Sequence, residues 1–375
     1  MAREVSETQG AFQMSDPHIR VGIVAADHSD AVRNLHRQAI LSCPRFRVVA
    51  EVALEDANVS ADEPRQLGSV VSQGGAHQSA EQMLSAQALD DNPIDVVLII
   101  ADAERSAPLA SLALAAGCHV ICEAPLASDS KTIRELARQS IHVERLALVS
   151  DRLVGCEQLI FLRELIESGV LGRVGKIVVE VADNRESGFN TADFGLHSIL
   201  RKAVSISDLI AVERLDHVLA DTSGREAGTI NGDVAQVFLR YASGARGALL
   251  AWRTHPGIEL WAQARIYGAS ASVTWRSEEP ERLWIDRADG SSAIFRGRVQ
   301  EEIASEPPPP HSYARELGAL ANIYCGLAAA IDAPNSAIGR TQLLRTAQKA
   351  AIYEEIIEAC RRSDQRGCVW ESIAS

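Results

Sequence analysis

The residues best placed for chemistry sit at the ends of apolar runs. Glu123, followed by Ala124-Pro125, comes directly after His119-Val120-Ile121-Cys122. Pro125 cannot donate to a strand ladder, so a strand there ends at or before it. Residues just past the carboxyl end of a parallel strand face the ligand crevice. A second joint follows IRVGIV at 19–24, where the chain reads Ala25-Ala26-Asp27-His28-Ser29-Asp30. A dinucleotide pyrophosphate at such a joint asks for G-x-G-x-x-G, the glycines giving the tight turn, close approach of backbone to phosphate, and close helix packing. In the register set by Val21-Gly22-Ile23-Val24, those positions are Ala25, Asp27 and Asp30. Two carboxylates thus stand where a helix N-terminus would receive an anion. Asp27, Ser29 or Asp30 suits a helix cap instead.

Two more groups carry titratable side chains, His197 with Lys202, and Arg253 with His255 in Trp252-Arg253-Thr254-His255-Pro256-Gly257. Each has an ordinary structural reading: a capping or surface histidine, an exposed helix lysine, a polar turn after a strand. The cysteines, Cys43, Cys118, Cys122, Cys156, Cys325, Cys360 and Cys368, are scattered, and no pair has zinc-ligand spacing. Their apolar neighbours make them structural thiols of a reduced, cytoplasmic protein.

The elements that must position these residues follow from periodicity. Residues 96–100 are apolar and mostly β-branched, which suits a strand buried on both faces. A helix-period segment with Leu109, Leu112, Leu114 and Ala115 follows, closed by Gly117 as C-cap, and then the second apolar run at 119–122. Strand, helix and strand within about 30 residues make a βαβ crossover, hence a parallel sheet with helices packed on it. Further helices are expected at 81–90, 130–139 (capped by Ser128 or Asp129), 157–169, 313–331 and 340–361, with strands at 46–54 and 146–149. Short alternating runs at 176–181, 236–241, 245–253, 261–267 and 271–276 suit an open antiparallel sheet, and 278–311 reads as loop ending in Pro307 to Pro310.

At 375 residues the chain has room for two domains. The expected division is a polar tail at 1–18, a Rossmann-like α/β domain at 19–150, and an α+β domain at 151–372 with an open, mostly antiparallel sheet. A formal charge of −13 disfavours non-specific nucleic-acid binding, no apolar run reaches membrane-span length, and residues 1–18 lack the apolar core of a signal peptide.

The segment Ala116-Gly117-Cys118-His119-Val120 with Glu123-Ala124-Pro125 resembles the glucose–fructose oxidoreductase / inositol dehydrogenase family (Gfo/Idh/MocA), whose members read "AGKHV" and then Glu-Lys-Pro there. The likeness extends over about 19–372, including Leu171-Gly172-Arg173-Val174 and Ala321-Asn322-Ile323-Tyr324. It implies NAD or NADP as cofactor, a sugar or cyclitol as substrate, and a homo-oligomer formed through the C-terminal sheet. Cofactor positions carried over are Ala25, Asp27, Glu55 (or Leu54 or Asp56, by register), Ala101 and Glu123; substrate positions are Arg253 and His255. No metal site is implied.

Hydride transfer from a sugar alcohol needs a nicotinamide against the reacting carbon, a base for the hydroxyl proton, and a cation for the alkoxide. The family takes the cation from the Glu-Lys-Pro lysine and the base from an Asp-x-x-x-His pair. Here the lysine is Ala124, the Thr-Pro turn after the central strand is Ala101-Asp102, and its histidine is Ser106. The Asp/His positions fall on Ser198 and Lys202, or on Arg201 and Ser205. The expectation is a divergent homologue with weakened or lost dehydrogenase chemistry, acting as a binding or partner subunit. The alternative is an active sugar, cyclitol or nucleotide-sugar oxidoreductase with a rebuilt site using Lys202 or His197 with Glu123, or one paired with an aminotransferase.

Overall fold

The computed structural model describes residues 18–26, 29–54, 79–88, 93–127, 129–183, 195–211, 213–223, 234–253, 260–296, 299–301, 312–333 and 344–373. Among the described residues, 19–150 hold five strands alternating with four helices: β1 (Ile19–Ala26), α1 (Asp30–Leu41), β2 (Phe46–Leu54), α2 (Ala80–Ala88), β3 (Val96–Ile100), α3 (Ala103–Ala115), β4 (His119–Glu123), α4 (Ser130–His142) and β5 (Ala147–Ser150). All five strands pair in parallel in the order β5-β4-β3-β1-β2. The central strand is buried throughout, as its composition predicts. Its alternate residues serve two cores: Val97 and Ile99 meet α3 and α4 on one face, while Val96, Leu98 and Ile100 meet α1 on the other.

Local signals set the joints. Gly117 has φ +82° after α3, and Gly169 has φ +77° after the helix at 157–167. Asp102 caps α3 by accepting from Arg105 N at 2.9 Å, and Asp129 rather than Ser128 caps α4 through Thr132 N at 2.9 Å. The cap expected at α1 differs. Ser29 occupies the N-cap position but makes no capping bond, because its hydroxyl donates back to Ala26 O, and Asp30 pairs with Arg33.

The second half begins with α5 (Glu157–Glu167), β6 (Val174–Asp183), α6 (Leu196–Ile210), β7 (Leu215–Ser223), β8 (Val234–Tyr241), β9 (Arg246–Trp252), β10 (Leu260–Gly268) and β11 (Ala271–Arg276). It continues through β12 (Arg282–Arg287), β13 (Ser292–Arg296), β14 (Val299–Glu301), α7 (Ser312–Asp332), β15 (Arg345–Thr346), α8 (Ala347–Gln365) and β16 (Glu371–Ser372). Ten of these strands form one sheet, β14-β13-β12-β11-β10-β6-β9-β8-β7-β16, antiparallel except for the β6–β9 pair. The fold is therefore a Rossmann-type parallel sheet joined to a second, mostly antiparallel sheet. The loop expected over 278–311 is instead a meander across 282–301. Arg282-Leu283-Trp284-Ile285 alternates only weakly, and its charged ends hide the strand.

Two late helices return to the first sheet. α7 packs Leu320, Ile323, Tyr324 and Leu327 into the core beneath α1. β15 adds an antiparallel edge strand beside β5. α8 places Ala347, Ala350 and Ala351 in the first sheet's core and Tyr353, Ile356, Ile357 and Cys360 in the second. No helix among the described residues is long and apolar enough to cross a membrane.

Candidate functional site

The strand order reverses at β1, so the topological crevice lies at the carboxyl ends of β1 and β3, where Ala25 pairs with Ile100. Ala25 is fully buried and Ala101 is 2% exposed. Ser106, in the position of the family histidine, is buried and donates to Ala101 O at 3.1 Å, so it serves the turn. Asp27 and Glu55 lie outside the described residues, as does His255. Ala25 is buried, and Asp30 brings a carboxylate to the first turn of α1, where it pairs with Arg33.

A cavity of about 300 Å³ opens next to this crevice, between the ends of β4 and β5 and the wall formed by β6, α6 and α8. Ala31 and Val32 of α1 also line it. Its floor is Glu123-Ala124, placed at the strand end by the stop that Pro125 imposes. The Ala124 side chain brings no charge there.

Glu123 is 6% exposed and already committed. Its Oε2 meets His36 Nε2 at 2.9 Å and its Oε1 meets Arg152 at 3.1 Å. Burial pushes its pKa up, but the Arg152 guanidinium and the His36 hydrogen bond outweigh burial and hold it at about 2. Behind it, His36 Nδ1 meets the Tyr324 hydroxyl at 2.9 Å. Burial, and then the charge of Glu123, raise the Tyr324 pKa well above its ordinary value. In the neutral imidazole whose Nε2–H donates to the carboxylate, Nδ1 accepts from the phenol. Arg152 pairs in turn with Glu316 of α7.

The opposite wall carries Lys202, whose Nζ donates to Asp183 Oδ2 at 2.6 Å at the end of β6. Ser198, Arg201, Lys202 and Ser205 all line the cavity, so both registers of the Asp/His motif fall on one face of α6. Ser205 accepts from Arg345 at 3.1 Å. His197 is not among the lining residues. It bonds Glu354 Oε2 at 2.8 Å, and Arg201 approaches the same carboxylate at 3.4 Å. Burial would raise the pKa of Glu354, yet its bond to His197 and the charge of Arg201 lower it. Glu354, not His197, faces the cavity. Arg253 is exposed past the end of β9 and does not line it. The structure thus brings Glu123 and Lys202 to one cavity and leaves His197 behind it and Arg253 outside.

Arg152, Asp183, Arg345, Tyr353 and Glu354 are cavity residues that sequence reasoning missed. Arg152 and Asp183 follow strand ends and were findable by the rule that exposes Glu123. Arg345, Tyr353 and Glu354 come from a region whose return to the first sheet left no local signal.

Residues 19–149 match the family model described as an oxidoreductase family with an NAD-binding Rossmann fold, Gfo/Idh/MocA. The chain is 24% identical over 328 residues to the uncharacterized oxidoreductase YfiI of Bacillus subtilis (strain 168), covering 77% of this chain and 80% of that protein. It is 23% identical over 271 residues to a levoglucosan dehydrogenase of Pseudarthrobacter phenanthrenivorans, covering 61% of this chain and 66% of that protein. An inositol dehydrogenase homolog from Azotobacter vinelandii, crystallised with NADH and myo-inositol, superposes with a TM-score of 0.75 at 20% identity, covering 96% of this chain and 98% of that one, a likeness of fold. With that fold and the cleft between its strand ends and the second sheet, residues 19–149 form an NAD-binding-type Rossmann domain of the Gfo/Idh/MocA oxidoreductase family, and the whole chain shares the fold of that family's solved structures.

Proposed function

We propose that this chain uses the family cleft to bind a small polyhydroxy ligand, a sugar, cyclitol or nucleotide sugar, with dehydrogenase chemistry weakened or lost, and acts as a binding or partner subunit. The carrying observation is the cavity floor, where Ala124 provides no ammonium and Glu123 is spent on His36 and Arg152. Losing one group that stabilises a developing charge costs about 10²–10³ in rate. The lining still offers paired donors and acceptors for hydroxyl groups, and 300 Å³ is at the small end of ligand pockets. The levoglucosan and inositol relatives support a ligand of this class.

A second reading rests on Lys202. Its ammonium, held by Asp183, faces the same cavity and could steady a substrate oxygen from the opposite wall, as in an active NAD(P)-dependent enzyme with a rebuilt site. The test is titration with NADH and NADPH by fluorescence, with a thermal-shift panel of polyols alongside. A polyol shift with no dinucleotide binding is expected. Dinucleotide binding with Kd below about 100 μM, and polyol turnover lost in Lys202→Met, would establish the second reading. Co-purification of an aminotransferase from the native host would mark the paired-subunit form. The outer face of the second sheet, with Phe238 52% and Tyr267 40% exposed, is the proposed homo-oligomer contact, and sedimentation would read it. A cytoplasmic location completes the proposal.

A further inference from the structure

Cys43 lies in the turn between α1 and β2, and Cys325 lies on α7 where that helix crosses beneath α1. Both thiols are free, and Cys325 Sγ lies 3.5 Å from Cys43 Sγ, a van der Waals contact. Cys43 is 4% exposed, whereas Cys325 is partly open. A disulfide bond needs the sulfurs at about 2.05 Å with Cβ atoms near 3.8 Å. The remaining approach asks for a side-chain rotation and a small shift of one backbone segment. Cys325 is fixed within a helix of 21 residues, so the short turn holding Cys43 is the part that moves. A surface ion pair keeps that turn beside α7 without fixing it, since Arg45 Nη2 meets Asp332 Oδ1 at 2.6 Å. The distinction from the other cysteines is this sulfur–sulfur contact, since burial, and then the hydrogen bond with Cys325, raise the Cys43 thiol just as burial raises those of Cys118, Cys122, Cys156 and Cys360.

We propose that Cys43 and Cys325 are a reversible oxidation site, closing to a disulfide that fastens α1 to α7 behind the cleft. The oxidant is a peroxide or a small-molecule disulfide. With hydrogen peroxide, the partly open Cys325 thiol is oxidised to a sulfenic acid and one water leaves. The Cys43 sulfur then attacks that sulfur, the S–O bond breaks, and a second water departs. Two thiols and one peroxide become one disulfide and two waters, and a dithiol reductant reverses the step. The bond has a line to the cleft. Tyr324, adjacent to Cys325, donates to His36 of α1, which holds Glu123 at the floor. The disulfide joins α7, which carries Tyr324, to the turn directly after α1, which carries His36.

The test uses the intact chain, treated with hydrogen peroxide or with glutathione disulfide and digested without reduction. The expected product is one peptide pair joining Cys43 to Cys325. Thiol titration in denaturant should fall from the seven of the untreated chain to five, restored by dithiothreitol. Hydrogen exchange in α1 should slow in the oxidised protein. In Cys43→Ser, Cys325 should carry a glutathione adduct with no linked pair, and the wild-type digest stands even if that variant folds poorly. Retention of all seven thiols, a linked pair using other cysteines, or wild-type Cys325 ending as a lone sulfinic acid or adduct would overturn the proposal.

Discussion

At the scale of single residues, the cavity floor is a buried relay from Tyr324 through His36 to Glu123 and Arg152. Removing one charge of such a group leaves the other buried and uncompensated, which costs far more than the pair is worth intact. Glu123→Gln should therefore lower stability by about 3 kcal/mol in urea unfolding. A loss near zero would mean that Arg152 finds full compensation in Glu316. The sequence announces Glu123 plainly, because a proline ends its strand. Nothing in it announces His36, a histidine on a helix with no nearby partner in sequence, whose two contacts come from residues 123 and 324. His197 shows the same limit. Its place beside the motif helix makes it a base candidate, but its partner, Glu354, comes from a helix more than a hundred residues away and turns it from the cavity.

At the scale of elements, the parallel strands and their crossovers were legible because uninterrupted apolar runs, glycine C-caps and aspartate N-caps agree with one another. The meander at 282–301 was not, since charged residues such as Arg282, Asp286, Arg287 and Arg296 bound its short strands and make them read as loop. The seat of α7 was not legible either. It depends on Gly155 after β5, where an added Cβ would stand 2.3 Å from Ala319 O, while Asn322 donates to Gly155 O at 3.0 Å. Gly155→Ala should force α7 away and cost roughly 1–3 kcal/mol or more, the range for overpacking a filled interior. Urea unfolding would measure it. An unchanged midpoint would show that α7 can shift freely.

At the scale of the whole molecule, acid should weaken the fold in two steps. Burial, and then the charge of Arg145, depress His119 to about 4, and its Nδ1 accepts from Leu146 N at 2.9 Å in the neutral form. A folded pKa below the usual 6.5 means its contribution is complete above that value and is lost as pH falls toward 4. Glu123, held at about 2 against a usual 4.5, gives the second step below about pH 4.5, worth roughly 3 kcal/mol at 1.36 kcal/mol per unit. Unfolding midpoints at about pH 7, 5 and 3 should fall in that order, with the first drop absent in His119→Phe. A flat profile would contradict both assignments.

α8 threads both hydrophobic interiors, with its first turn in one and its later turns in the other. Neither half can melt away while the other keeps its full complement of side chains. Calorimetry should record a single endotherm whose measured and van't Hoff enthalpies agree, where two resolved peaks would mean independent halves. A molecule spliced in this way is expected to meet any ligand with both walls of the cavity already standing.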